Sequence, residues 1–414
     1  MKRIGLIGFG CVGQGTYELL GNLNTPMFAV TKVIVKTPGK SRMVDPKLIS
    51  YDVNDVLDNT AIDFLIEATN DTDFAYDLAK KALSRGIPLI SANKKMIANH
   101  LEELTRLAAE FDTPFRYEAA ACGAIPIVET LNNYFRQVPV FEIKGIFNGT
   151  SNYILTQIFQ NKLDYNSALE KAQELGFAET DPTSDVGGYD AKYKLAILAN
   201  HAFGITLNPN SILNLGIDSL KPIDINFFVK RNQKIKLIAK SYWHGDRIVS
   251  YVLPHFVNDV DPLFSIELEY NSVWVETGTA GSQIFTGKGA GSSPTATAIL
   301  GDLQHLAERR AYKAKPTKNE IRSCNSDEPK IEIYARLNNP EDLKNFQFNQ
   351  IIEKHEADGS IQVVGVIKLS ILSEIRSWVL ENHIPLVASN QKVSGGDNLD
   401  SKVNDLNSLT KISA

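Results

Sequence analysis

Between Glu179 and Lys194 the chain gathers four carboxylates, Glu179, Asp181, Asp185 and Asp190, just ahead of Lys192 and Lys194, around Pro182 and the Gly187–Gly188 pair. Lysine and carboxylate side chains assembled in this way can exchange protons with a substrate and hold its charged groups. Downstream, Ala191, Leu195, Leu198, Ala199 and Ala202 recur at helical spacing, so the acidic loop feeds an amphipathic helix. Asp190 and Lys194, four residues apart, then stack on one face of it. Taken alone, the segment reads as well as a solvated loop with an ordinary i,i+4 ion pair, and such pairs are common and weak.

A second segment shifts that weighing. Ile4 to Ile7 is an apolar run that reads as a buried parallel strand, and Gly8-Phe9-Gly10-Cys11-Val12-Gly13 follows it directly before Thr16, Tyr17, Leu19 and Leu20 continue as a helix. Gly8 permits the tight turn, Gly10 admits a pyrophosphate to the backbone, and Gly13 lets helix and strand pack closely. The helix start then offers unpaired N–H groups to the phosphates. A carboxylate about 20 residues further on would bind the ribose hydroxyls of NAD. Here the second strand, Val30 to Val35, runs into Lys36, Lys40 and Arg42 with no carboxylate. Lys36 and Arg42 thus become candidates for a 2′-phosphate, which favours NADP and leaves NAD open; ordinary surface cations are the competing reading.

The positioning elements alternate strand and helix over about the first 130 residues. Strands end at Glu67-Ala68-Thr69-Asn70 and at Ala92-Asn93-Lys94, which places Thr69 and Lys94 where a doubly wound sheet binds its ligand. From Phe141 the grammar changes to a run of strand candidates, Ile143–Phe147, Ile235–Ala239, Ile248–Pro254, Ser265–Leu268 and Ser272–Val275, with a helix Tyr153–Phe159 after Asn148-Gly-Thr-Ser-Asn152. The small-residue segment Gly287 to Thr297, including Gly291, opens a further helix. The expected organisation is a dinucleotide-binding domain over 1–134, a catalytic and dimerisation domain over 135–293, and a helix over 294–310 returning to the first domain. A small C-terminal domain over 329–394 and a polar, disordered tail over 395–414 complete it. The fold class is α/β: a Rossmann-type doubly wound parallel sheet, a second α+β domain and a small α+β module.

At 414 residues and net charge −5 the chain has ample core for several domains and no general attraction to nucleic acid or anionic membrane. No apolar run approaches the ~18 residues of a membrane span. Cys11, Cys122 and Cys324 are too few and scattered for a disulfide framework, which points to a reducing, cytoplasmic setting.

Taken together, the motifs resemble those of homoserine dehydrogenases. The matching segments are Gly8 to Gly13, Ala92-Asn-Lys94, Tyr117 to Pro126, Gly145 to Tyr153, Gly176 to Lys194 and Gly287 to Thr297, in family order over about residues 1 to 310. The resemblance implies reversible NAD(P)-dependent oxidation of L-homoserine to L-aspartate 4-semialdehyde, a step toward threonine, methionine and isoleucine. It implies Lys194 as proton donor/acceptor, Glu179 as the substrate-binding carboxylate, Asp185 and Asp190 as further polar partners, and Lys94 beside nicotinamide and substrate. It also implies a monovalent cation, sodium in type, held by Glu118 and the backbone carbonyls of Ala121, Gly123 and Ile125. A homodimer or higher homo-oligomer is expected, acting on a small-molecule substrate and monofunctional for want of length.

The chemistry asks for such a set on its own account. Hydride leaves a carbon whose hydroxyl must lose a proton, so a base must lie within hydrogen-bond reach. The aldehyde oxygen gains charge that a cation can stabilise in the reverse direction. Three departures stand out: Glu67-Ala-Thr-Asn70 in place of a Gly-Gly strand ending, the Gly187-Gly-Tyr189 variant, and a C-terminal region with little family likeness, either a degenerate ACT-type domain or a structural module. Two other functions compete. One is an aldehyde-acylating dehydrogenase with Cys122 as nucleophile, although no histidine partner is near in sequence. The other is a non-catalytic NADP sensor.

Overall fold

The computed structural model describes residues 1–24, 27–313, 315, 328–357 and 359–389. Cys324 and the polar tail expected over 395–414 lie outside the described residues. Six strands, β1 (Lys2–Ile7), β2 (Phe28–Ile34), β3 (Ile49–Ser50), β4 (Phe64–Glu67), β5 (Leu89–Ser91) and β6 (Phe115–Arg116), form a parallel sheet in the order β3-β2-β1-β4-β5-β6. This is the order of a dinucleotide-binding sheet, with its ligand crevice where the order reverses beside β1. The crossover helices are α1 (Cys11–Gly21), α2 (Asn54–Leu57), α3 (Thr72–Ser84) and α4 (Lys94–Glu110).

One departure here bears on chemistry. The apolar period suggests a helix only from Leu101, yet α4 begins at Lys94, because Asn93 caps it by accepting the Met96 amide at 3.0 Å. Its first turn buries Met96 and Ile97, and a non-helical His100 interrupts the periodicity between the two parts. Lys94 is therefore fixed in the first turn of a helix and is not a free loop lysine.

Beyond a turn that holds α5 (Ile127–Glu129), a second sheet takes over. Its strands are β7 (Val140–Ile146), β8 (Leu213–Asn214), β9 (Lys234–His244), β10 (Arg247–Val257), β11 (Tyr270–Thr277), β12 (Gly281–Lys288), β13 (Lys330–Leu337), β14 (Gln350–Ala357), β15 (Ser360–Lys368) and β16 (Leu386–Ser389). They run β12-β11-β7-β9-β10-β16-β13-β15-β14, with β8 also on β10. The helices are α6 (Gly149–Asn161), α7 (Tyr165–Glu174), α8 (Thr183–Val186), α9 (Tyr189–Phe203), α10 (Pro222–Val229), α11 (Ser292–Ala307), α12 (Leu369–Glu374) and α13 (Arg376–Glu381). No strand forms over Ser265–Leu268: the chain turns there, with Leu268 at φ +57°, and hands the Ile266 and Leu268 carbonyls to Asn152. Edge strand β12 lacks a continuous apolar face, and β14, which is mostly exposed, carries charge on both sides, so neither is legible from hydrophobic pattern.

Helix α11 packs against α1, and Ala298, Ile299, Leu303 and Leu306 share one core with Ile4, Leu6 and Leu20. The C-terminal strands follow the order β16-β13-β15-β14, a β-helix-β-β-helix-β module of ferredoxin-like topology. Its core of Ile331, Ile333, Leu372 and Val379 is continuous with Leu213, Leu215, Tyr251 and Leu253 of the central region. Buried Asp224 of α10 anchors it further, accepting from Tyr334 Oη at 2.7 Å and Arg336 Nε at 2.8 Å.

Candidate active site

The glycine-rich turn behaves as its spacing suggests. An added Cβ would meet the Ala68 carbonyl at Gly8 and the Gly8 carbonyl at Gly13, whereas at Gly10 it would meet nothing within 4 Å. The open space is left where a pyrophosphate would lie, at the first turn of α1, while the two flanking glycines close strand, turn and helix onto one another. Phe9, Cys11 and Val12 belong to the same turn and helix start. The N-terminus of α11 comes alongside: Ser292 Oγ donates to the Cys11 carbonyl at 3.1 Å, and Gly291, at φ +110°, makes the turn. The residues present fit a dinucleotide. Arg42 folds back onto its own loop, donating to the Lys40 and Thr37 carbonyls at 2.9 Å each. Lys36 projects into solvent, 3.7 Å from Asp71 Oδ2.

The strand ends β4 and β5 are tied by a carboxylate. Glu67 is fully buried and accepts from the Thr69 amide (2.7 Å), Thr69 Oγ1 (2.6 Å) and Ser91 Oγ (2.5 Å). Burial raises its pKa despite these donors. Asn93 in turn donates to the Thr69 carbonyl at 3.1 Å, so Thr69, Asn93 and Lys94 are held as one unit.

Across the crevice stands α9. Gly188, left-handed at φ +78°, is its N-cap, which sets Asp190 in the first turn, where a negative charge suits the helix dipole. Asp190 Oδ2 takes Lys194 Nζ at 2.7 Å, and Oδ1 pairs with Lys94. The Asp190 and Lys194 side chains are 2% and 5% exposed; that of Lys94 is 44% exposed. Burial alone would raise the Asp190 pKa, but the two ammonium groups hold it well below the carboxylate range. Lys94 sits against the dipole of its own helix and in a desolvating site, yet Asp190, Asp185 and Glu179 raise its pKa above the ordinary lysine value. Lys194 also donates to the Phe147 carbonyl at 2.7 Å.

Asn148 completes the centre. It caps α6 by accepting the Ser151 amide, and its Nδ2 donates to Asp185 Oδ1 at 2.7 Å and Asp190 Oδ2 at 2.9 Å. Burial, then the neighbouring Asp190 charge, raises the Asp185 pKa. Glu179 is exposed on the loop before α8 and has no ion pair among the described residues. Lys192, by contrast, turns to the ring of Tyr189, 4.9 Å away, and takes no part.

The structure thus brings Lys94, Lys194, Asp185 and Asp190 together, with Glu179 at the rim. Sequence reading missed Asn148 as a bridge between the carboxylates, along with Asn271, which donates to the Phe147 carbonyl at 2.9 Å, and that carbonyl itself. The Thr150-Ser151-Asn152 cluster reads as a cap for a helix from Tyr153; that the helix starts at Gly149, with Asn148 as both cap and bridge, was not legible.

Two other expectations fare differently. The Glu118 carboxylate accepts from the Val128 and Glu129 amides at 2.9 and 2.7 Å and from Tyr312 Oη at 3.3 Å, so it caps the start of α5. Burial pushes its pKa up to about 8. The turn through Cys122 and Gly123, both at φ +57°, bends the main chain at this loop. Among the described residues no cluster of three or more His, Cys, Asp or Glu side chains could hold a metal. Cys122 is buried, and burial pushes its thiol up to about 12, which leaves it inert as a nucleophile.

Comparison with known proteins agrees with this architecture. Residues 8–118 match the family model described as homoserine dehydrogenase, NAD binding domain, and residues 126–304 that described as homoserine dehydrogenase. The homoserine dehydrogenase of Helicobacter pylori is 33% identical over 344 residues, 81% of each chain. The S. aureus homoserine dehydrogenase structure at pH 7.0 superposes with a TM-score of 0.72 at 26% identity, covering 95% of this chain and all of that one. A hyperthermophilic archaeal homoserine dehydrogenase in complex with NADPH shares the fold at a TM-score of 0.65, with 24% identity, 76% of this chain and all of that chain covered. Among the described residues no helix is long and apolar enough to cross a membrane.

Proposed function

The chain belongs to the homoserine dehydrogenase family and is an NAD(P)-dependent oxidoreductase of that activity, and from this premise we propose how its residues carry the reaction. The single observation behind the assignment is the Lys94–Asp190–Lys194 array, in which a buried carboxylate on α9 joins a buried lysine of its own helix to a half-exposed lysine at the start of α4. Lys194 is the proton donor/acceptor. As ammonium it gives a proton to the aldehyde oxygen of L-aspartate 4-semialdehyde; as amine it takes the hydroxyl proton of L-homoserine. Two of its three possible hydrogen bonds go to Asp190 and the Phe147 carbonyl, which aims the remaining one outward. The bound nicotinamide supplies or accepts the hydride.

Lys94 lies between the two domains, with Asp190 fixing its ammonium near the developing oxyanion. Glu179 is the group for the substrate ammonium, and Asp185, turned inward by Asn148, limits how it enters. The glycine turn Gly8–Gly13, Thr69, Lys94 and Gly291 line the cofactor side. We favour NADP(H), supported by the cationic loop of Lys36 and Arg42 without a carboxylate. A monovalent cation, sodium in type, would be held by the carbonyls of Ala121, Gly123 and Ile125 near the Glu118 turn and would stiffen the hinge without entering the chemistry. A reducing cytoplasmic setting, a homodimer and a place in threonine, methionine and isoleucine formation complete the reading.

The test is direct. Homoserine oxidation followed at the nicotinamide absorbance should fall about 10²–10⁴-fold in Lys194→Ala. Cofactor affinity should stay close to that of the parent. Lys194→Arg should not rescue, because guanidinium does not shed its proton near neutrality. A folded Lys194→Ala enzyme with near-normal turnover would remove Lys194 from the mechanism.

A further inference from the structure

We propose that Arg376, in the C-terminal module, is a positioning residue for the substrate loop and acts through Asn214; this rests on the reading that Glu179, Asp185 and Asp190 bind the substrate. The module reaches the loop by way of β10. On one edge of that strand β8 pairs at Tyr251–Leu213 and Val252–Asn214, and β16 pairs further along at His255–Ala388 and Phe256–Ser389. Arg376, the first residue of α13, reaches β8 at Asn214. Arg376 Nε donates to the Asn214 carbonyl at 2.9 Å and Nη2 to Asn214 Oδ1 at 3.1 Å, with Tyr189 Oη 3.4 Å from the same nitrogen.

Asn214 is buried, and with its oxygens held by one guanidinium its Nδ2 is directed onto the Gly187 carbonyl at 2.8 Å. Gly187 immediately precedes the left-handed cap of α9 and lies two residues after Asp185 and three before Asp190. The following residues run flush against the same loop. The Ile217 amide donates to the Val186 carbonyl at 2.9 Å, and a Cβ on Gly216 would lie 2.3 Å from that oxygen. A planar fork gripping both oxygens of one residue suits arginine and no other side chain.

The contact is not needed to hold the module in place. That is done by the shared core around Leu215 and Leu253 and by the buried Arg336–Asp224 pair on another face. Arg376 grips the residue whose side chain donates to the Gly187 carbonyl, between the acidic loop and the start of the catalytic helix. The C-terminal module, which carries no recognised motif, thus has a route to substrate affinity.

In the full-length enzyme Arg376→Ala should raise the homoserine KM, or lower kcat/KM for homoserine, by about 3- to 30-fold. The NADPH dissociation constant should hardly move, and the urea midpoint should fall only by what two lost buried hydrogen bonds cost, with the fold retained. Asn214→Leu keeps the volume of the side chain but loses the donor to Gly187, so it should reproduce the defect. The double variant should be no worse than either single one, because both break one path. Arg376→Lys, which keeps charge without the fork, should recover only part and serves as the probe if the alanine variant does not fold. Normal homoserine kinetics in a folded Arg376 variant, or losses that multiply in the double variant, overturn the relay. If Lys194→Ala abolishes turnover in the same series, the site reading stands and the relay alone has failed.

Discussion

Replacing Asp190 by Asn keeps the shape of the site and removes the one charge that two lysines share. Lys194 Nζ lies 2.7 Å from Asp190 Oδ2, with both side chains almost wholly out of water. At an effective dielectric of about 20, unit charges at that separation attract by about 6 kcal/mol before desolvation is counted. Removing one partner of a buried pair strands the other, at a cost of about 3–5 kcal/mol. Asp190→Asn should therefore lose about that much stability in urea at pH 7, and turnover should fall about 10²–10⁴-fold. Adding Lys194→Met removes the stranded ammonium, and the Phe147 carbonyl keeps its second donor, Asn271 Nδ2 at 2.9 Å. The double variant should recover at least half of the lost stability and none of the turnover. Unfolding would be followed by circular dichroism and kcat measured at saturating homoserine and cofactor. A single variant that loses less than about 1 kcal/mol, the range of an exposed pair, would refute the reasoning. So would a double variant no more stable than Asp190→Asn.

Lys36→Ala with Arg42→Ala should raise the KM for NADP+ by about tenfold or more, the worth of charge-assisted bonds to a phosphate, and leave that for NAD+ nearly unchanged; equal effects on both would count against the cationic loop as the 2′-phosphate site. Exchanging sodium for a bulky organic cation should lower activity or thermal stability if carbonyls of Ala121, Gly123 and Ile125 hold a cation, and an indifferent enzyme would remove that site. Burial, then the Arg116 and Lys315 charges, pushes His201 down to about 3, so the native state holds it neutral where the unfolded chain protonates it. Its contribution is complete above the ordinary histidine pKa and is lost as pH falls from there toward the depressed value. At pH 5.5 the loss is about 1.4 kcal/mol. His201→Gln should flatten that stretch of the stability–pH curve measured in urea, and an unchanged slope would assign it to other groups.

Some of this protein was settled by local sequence. The glycine spacing after β1 needs no partner to be understood, because each glycine answers a steric demand made within a few residues. The i,i+4 stacking of Asp190 and Lys194 follows from helical geometry alone, and the strand–helix alternation that builds the first sheet follows from apolar periodicity. Tertiary structure decided what those groups face. Lys94 reads as a loop lysine until Asn93 caps α4, and it meets Asp190 only because two domains close on one crevice. Glu118 reads by itself as a helix-capping or ion-paired carboxylate, and only the fold shows which helix start, that of α5, it caps. The cap of α6 reads as Thr150-Ser151-Asn152, yet it is Asn148, and only the fold brings two carboxylates from a segment about 40 residues away within reach of its amide. Strands β12 and β14 escape a pattern search because neither places apolar residues at alternate positions along its length. Helical spacing fixes which groups share a face; long-range packing fixes which charges must share a buried site, and no short window of sequence contains that.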